Sequence, residues 1–193
     1  MTAGLTPDLE EQVTTLTPVD SAPALFVVTV AGHDRPGIIA EVTTALAELG
    51  CNLEDSTMTL LRGHFAMVVL VRNNRPIGDI ETVLAPLTNN GLSVDVRPIV
   101  EHRTVERPGT AYTLHVHGAD RPGIVAAMTN VLARRGGNIV DLGTRLGSSM
   151  YVLVAEFVLP REVPIDVVEE ELASVAREID VDFHVAAVDD DVL

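Results

Sequence analysis

The chain has 193 residues, a formal net charge of −15, 47% hydrophobic residues and 3% aromatics, a balance that suits two small domains with aliphatic cores. The acidic surface repels phosphate backbones and argues against direct nucleic-acid binding. All 13 basic residues are arginine, which excludes a lysine Schiff base, and the single Cys51 excludes an internal disulfide or a cysteine-rich metal site.

No stretch approaches the roughly 18 apolar residues of a membrane span, and no basic-then-apolar signal opens the chain. The expectation is a soluble cytoplasmic protein with no membrane contact and no cofactor. Between Glu156 and Asp191, twelve acids stand against Arg161 and Arg177. Such a concentration serves solubility or docking to a basic protein partner.

Residues 1–23 carry few bulky apolar groups and read as an N-terminal arm. Leu25 to Val30 is a β-branched strand. The turn Gly32-His33-Asp34-Arg35 leads to Pro36, which suits the first turn of a helix. Ile38, Val42, Ala45, Leu46 and Leu49 then fall on one helical face, with Gly50 as the stop. Leu53 to Leu61 and Phe65 to Val71 read as a hairpin about Arg62-Gly63-His64. Ile80, Val83, Leu84 and Leu87 stripe a second helix, which Pro86 should kink or end early. Leu92, Val94 and Val96 alternate with polar residues in a last strand. The first domain therefore spans 24–100, with a linker at 101–109.

The second half repeats the order over 110–188. Tyr112, Leu114 and Val116 alternate, Pro122 opens a helix, and Ile139 to Leu146 pairs with Met150 to Leu159. Val168, Leu172, Val175 and Ile179 stripe a helix, and Val181, Phe183 and Val185 form the last strand. Residues 189–193 read as an acidic tail. The order β-α-β-β-α-β is the split βαβ arrangement of ferredoxin-like domains, an α+β class with antiparallel sheets and helices on one face. A single helical layer leaves the other sheet face and the edges uncovered, so the copies are expected to pack together, with homodimers as a further expectation.

The repeat is literal in places. Asp34-Arg35-Pro36-Gly37-Ile38 returns 86 residues later as Asp120-Arg121-Pro122-Gly123-Ile124. At the same offset Gly50-Cys51-Asn52 becomes Gly136-Gly137-Asn138, and Asp55 becomes Asp141. A strand ending in Gly-x-Asp-Arg-Pro-Gly-Ile, which begins at Gly32-His33 and again at Gly118-Ala119, precedes a helix and then Gly-x-Asn at the next strand. This pattern resembles the ACT domain, a ferredoxin-like module that binds amino acids in metabolic regulators. Residues 50–56 most resemble the tandem-ACT group of glycine cleavage system transcriptional repressors.

The resemblance implies a free amino acid as effector and a regulatory protein partner. It also implies site residues at Gly32, His33, Asp34, Arg35, Pro36, Gly37, Ile38 and Asn52, with Gly118, Asp120, Arg121, Pro122, Gly123, Ile124 and Asn138 in the second copy. On that reading the helix N-terminus receives the ligand carboxylate, Gly37 and Gly123 let it approach backbone, and Asp34 and Asp120 accept from its ammonium. The Asn52 and Asn138 amides both donate and accept. Pro36 and Pro122 fix the turn in advance.

Plainer roles compete for each residue. Asp before a helix is ordinary capping chemistry, and glycine or asparagine after a helix serves turns. His33 becomes Ala119, so unequal binding by the two copies is expected. His115 and His117 share a strand face but show no third metal ligand, Glu169-Glu170-Glu171 reads as a solvated helix face, and Ser148 and Ser149 at a hairpin tip have no base. No catalytic or metal residue is assigned. An acylphosphatase-like enzyme, with Arg and Asn at a turn handling phosphate, and a ligand-free structural subunit remain as alternatives. Ferredoxin-like RNA binding lacks its stacking aromatics.

From the charge, the purified protein is expected to show no specific duplex-DNA binding near physiological salt. A salt-resistant, sequence-specific gel shift without a partner would contradict this.

Overall fold

The computed structural model describes residues 23–100, 109–147 and 150–188. The first domain runs β1 (Ala24–His33), α1 (Ile38–Glu48), β2 (Asn52–Leu61), β3 (His64–Asn73), α2 (Ile77–Asn89) and β4 (Ser93–Ile99). The second runs β5 (Gly109–Gly118), α3 (Ile124–Arg134), β6 (Asn138–Leu146), β7 (Tyr151–Pro160), α4 (Ile165–Ile179) and β8 (Val181–Ala187). Each is a ferredoxin-like βαββαβ domain with a four-stranded antiparallel sheet, ordered β2-β3-β1-β4 and β6-β7-β5-β8. The backbone divides into the units Met1–Thr104 and Val105–Leu193. The predicted arm, the acidic tail, nearly all of the linker and the Ser148-Ser149 tip lie outside the described residues. Gly109, read as linker, belongs to β5.

Each core follows from two periodicities. On β1, Phe26, Val28 and Val30 are buried, and on β3 Phe65, Met67, Val69 and Val71. These alternate positions share one sheet face. Ile38, Val42 and Leu46 meet them from α1, and Ile80, Leu84 and Leu87 from α2. Ala45 and Leu49 of the predicted stripe pack only partly against the core. The second core is built in the same way around Leu114, Phe157, Met128 and Leu172. There α3 and α4 are also joined by Glu171, which pairs with Arg135 and with Arg134 at 3.5 Å. One of the three glutamates read as a solvated face is therefore partnered.

The cores differ at one polar point. Buried Asn73 donates its amide to Cys51 Sγ at 2.9 Å and accepts from the Arg75 backbone N–H at 2.8 Å. At the corresponding positions the second domain has Gly137 and buried Leu159. The same site is filled once by a satisfied polar pair and once by hydrocarbon, and a buried amide is tolerable only because its groups are bonded.

Three local expectations are corrected. Pro36 and Pro122 lie in the turn before each helix, not in its first turn, because the glycine that follows has a left-handed backbone that no helix can include. His64 begins β3, which leaves Arg62-Gly63 as a two-residue turn with both φ angles positive, 49° and 83°, the twist that suits a tight hairpin. Pro86 neither breaks α2 nor stops it early, since the helix runs on to Asn89. Pro86 sits on the exposed face between buried Leu84 and Leu87. Burying those leucines outweighs the single bond to the Thr82 carbonyl that proline cannot make.

The edge strands are open. Every residue of β2 is exposed, including Met58, Leu60 and Leu61. Its ladder to β3 is broken by a bulge at Glu54, between Leu53 and Asp55, and the β6 ladder by one at Val140. Arg72 holds the first bulge through an ion pair with Glu54, and its guanidinium keeps that carboxyl below the ordinary range.

Pro86→Ala restores a helix donor on an exposed face. It should stabilise the first domain by about 1–3 kcal/mol, read as a higher denaturant midpoint in chemical unfolding.

Candidate ligand-binding mouth

The duplicated motif folds into the same backbone twice. Gly37 and Gly123 precede α1 and α3 with φ/ψ of 94°/−7° and 96°/−4°. A side chain there would be strained, so the sequence supplies glycine. The Gly37 carbonyl accepts from Glu41 N–H at 2.9 Å and the Gly123 carbonyl from Ala127 N–H at 2.8 Å. Neither helix has a side-chain cap. The capping reading of Asp34 and Asp120 is thereby removed. Asp34 is fixed instead through its backbone, which donates to the Gly63 carbonyl at 2.9 Å. First-turn N–H groups left without a cap at the positive end of a helix dipole suit an anion.

Beside this turn lies an open pocket of about 450 Å³, bounded by Asp34, Arg35, Gly37, Ile39, Met58 and Phe65. Arg35 grips Glu41 with two hydrogen bonds, 2.5 and 2.7 Å. The guanidinium holds the Glu41 carboxyl below the ordinary range and is itself raised by that bond. His33 and His64 meet edge-to-face at 5.9 Å where β1 ends and β3 begins. The mouth thus combines unpaired backbone donors, both signs of charge and an apolar wall.

Other predicted site residues serve the fold. A Cβ on Gly32 would come within 2.7 Å of Leu92 Cδ2, and one on Gly118 within 2.9 Å of Val181 Cγ1. These glycines admit the turn after α2 or α4. Ile38 and Ile124 are buried in the cores. Asn52 is not brought to Asp34. Its ladder partner is Arg72, whereas the mouth end of β2 is marked by Leu61 opposite His64. Eight positions of β3 separate the two ends, roughly 26 Å at strand rise. Asn138, opposite Val158, stands likewise at the far end of β6 from Leu146.

Glu41, Met58 and Phe65 were not singled out as site residues. Helical spacing signals Glu41, one turn after Gly37, but only the hairpin register brings Met58 to the turn. The histidines of the second sheet gain neighbours across strands: His115 opposes His184, and His117 opposes Asp182, with 3.6 Å between Nε2 and Oδ2. Among the described residues no group of three or more His, Cys, Asp or Glu is placed to hold a metal ion. No described helix is long and apolar enough to cross a membrane.

The comparisons agree with this construction. The ACT domain family model matches residues 24–97 and again 113–186. A UPF0237 protein of Methanopyrus kandleri is 42% identical over 81 residues, 42% of this chain and 90% of its own length. The glycine cleavage system transcriptional repressor of Escherichia coli is 33% identical over 125 residues, and the match spans 62% of this chain and 64% of the repressor. A solved structure of an unknown protein from Galdieria sulphuraria superposes with a TM-score of 0.75 at 34% identity, covering 86% of this chain and 99% of that one.

Two predictions follow from the uncapped turn and the ion pair. Asp34→Ala should change unliganded stability by less than about 0.5 kcal/mol, where loss of a cap would cost about 1. Chemical denaturation decides between them. Glu41 is depressed in the folded state, so its contribution to stability is present above the unfolded pKa and is lost as pH falls through the folded one. In an NMR titration Arg35→Gln should move Glu41 upward, toward the ordinary carboxylate range. ACT domains are regulatory, non-catalytic modules, and with two of them this chain belongs to the ACT-domain family.

Proposed function

We propose that this protein senses a free amino acid and acts through a protein partner in the transcriptional regulation of amino-acid metabolism, with glycine as the first candidate effector. The observation that carries the reading is the uncapped N-terminus of α1 above the Asp34–Arg35 mouth. An amino acid carries a carboxylate and an ammonium on one carbon. The helix donors and Arg35 suit the first, and Asp34 with Glu41 suits the second. The transcriptional part rests on the similarity to the Escherichia coli repressor, and the net charge of −15 favours action through a partner over direct DNA contact.

The phosphate-handling alternative needs an arginine and an asparagine converging on one turn. Here Arg35 is paired with Glu41, and Asn52 lies at the other end of the sheet. The geometry favours the sensor. Asn52 would join a mouth if a second copy of the chain ran antiparallel along β2, an edge whose exposed Leu53, Met58 and Leu60 invite cover. On this arrangement the same contact would build the dimer and complete the site.

A thermal-shift screen of the twenty amino acids tests the reading. A specific effector at a hundred times its Kd stabilises by about 2.7 kcal/mol, so one or a few amino acids should raise the melting temperature well above the rest. A flat screen would leave the protein as a ligand-free subunit. If the edge arrangement holds, Asn52→Ala should weaken binding about tenfold or more, in line with the loss of one hydrogen bond to a charged group.

A further inference from the structure

The two mouths share a backbone and differ in charge. In the first domain Arg35 stays at the mouth, paired with Glu41 of the same turn and helix. In the second, Ala127 stands where Glu41 does, and α3 has no acidic residue in its first turn. Arg121 turns away toward the end of α4, donating to Asp180 Oδ2 at 2.7 Å and to the Ile179 carbonyl at 3.2 Å.

Asp180 is itself an exception. It ends α4 in a left-handed conformation, φ 52° and ψ 59°. Gly32 abuts Gly91 and Leu92, and Gly118 abuts Val181, so Asp180 is the counterpart of Gly91, whose φ is 86°. A glycine takes that conformation without strain, whereas a residue with a Cβ is disfavoured there, and aspartate is one of the few that tolerate it. The second domain thus carries the costlier residue where it supplies a carboxylate to Arg121.

We propose that the first domain is the amino-acid-binding copy, and that Asp180 keeps the second from binding by holding Arg121 away from its mouth. This rests on the sensing function proposed above and says which copy performs it. A zwitterion entering the first mouth meets a guanidinium with two carboxylates, Asp34 and Glu41. Both arginine pairs are solvent-exposed, with side chains 33% and 41% accessible for Arg35–Glu41 and 46% and 79% for Arg121–Asp180, so the difference lies in what exchange gains. A carboxylate replacing Glu41 frees it for the ammonium, whereas one drawing Arg121 away also breaks its bond to the Ile179 carbonyl at the end of α4 and frees no carboxylate at the mouth. At the second mouth the motif supplies Asp120, which repels a carboxylate, while Arg121 is engaged at Asp180. Ala119 and Met150 also replace His33 and His64, so the second turn lacks the imidazole hydrogen-bonding groups of the first.

The test is isothermal titration of the full chain with each of the twenty amino acids, then of variants with the amino acid that binds. The amide resonances of Gly37 and Gly123 report on the two mouths separately. The expected result is one equivalent per chain, a Gly37 amide that shifts and a Gly123 amide that does not. Arg35→Ala should weaken binding at least tenfold, with Arg35→Gln as a second variant should the first unfold. Asp180→Gly, which relaxes the backbone and releases Arg121, should add a second, weaker equivalent and bring the Gly123 amide into the titration. Two equal equivalents in the unmodified chain, a responding Gly123 amide, or a single equivalent in Asp180→Gly would overturn the assignment. Heat from none of the twenty would instead overturn the sensing function itself, and with it this inference.

Discussion

An α-helix begins with N–H groups that have no partner within it, and in both domains the chain enters its first helix through a glycine that brings no side chain to meet them. That constraint organises the rest of each domain. The left-handed turn at Gly37 excludes Pro36 from the helix, turns Asp34 back against the hairpin carbonyl of Gly63, and sets Arg35 and Glu41 on either side of the opening. The core under it is closely packed, with Ile38 and Phe65 buried beneath the turn, so the turn is presented on a filled base. Donors held in place in this way need little rearrangement when an anion arrives.

Duplication preserved that backbone while releasing the side chains around it. Gly37 and Gly123 differ by two degrees in φ, whereas Glu41 has become Ala127 and Gly91 has become Asp180. The buried Cys51–Asn73 pair shows the same drift inside the core, where the second domain has Gly137 and Leu159. What both copies keep is what the turn and the sheet demand. What differs is the charge around the turn, at Glu41 and Ala127 and at Gly91 and Asp180, and one polar pair in the core.

Most of the fold was legible because it rests on period. Alternation on β1 and the Ile38-Val42-Leu46 spacing name the buried faces without any three-dimensional knowledge. The failures have physical causes. Pro86 misleads because its cost is local while the burial of Leu84 and Leu87 is a tertiary gain. Asn52 is a different case: the resemblance and the repeat name it together with Asp34, but neither says that the two meet within one copy. Only the β2–β3 register reveals that they occupy opposite ends of a sheet. The capping role open to Asp34 could not be decided from sequence, since the same aspartate serves either purpose and the outcome depends on the turn that follows. Asp180 gave no signal as a site residue, because its partner Arg121 lies 59 positions away.

The strand order has a consequence for synthesis. β1 is central in its sheet yet pairs with β4, the last strand of the domain, with Leu25 opposite Ile99. Its second flank stays open until nearly the whole domain has left the ribosome, so folding is governed by a long-range closure and should be slow relative to a helical bundle of equal size. Because each sheet uses only its own strands, the first domain can complete its ladder while the second is still being translated. A nascent chain that pauses before β4 would leave β1, whose Phe26, Val28 and Val30 are buried in the finished domain, with one free edge, which makes that interval the one in which a chaperone has most to protect.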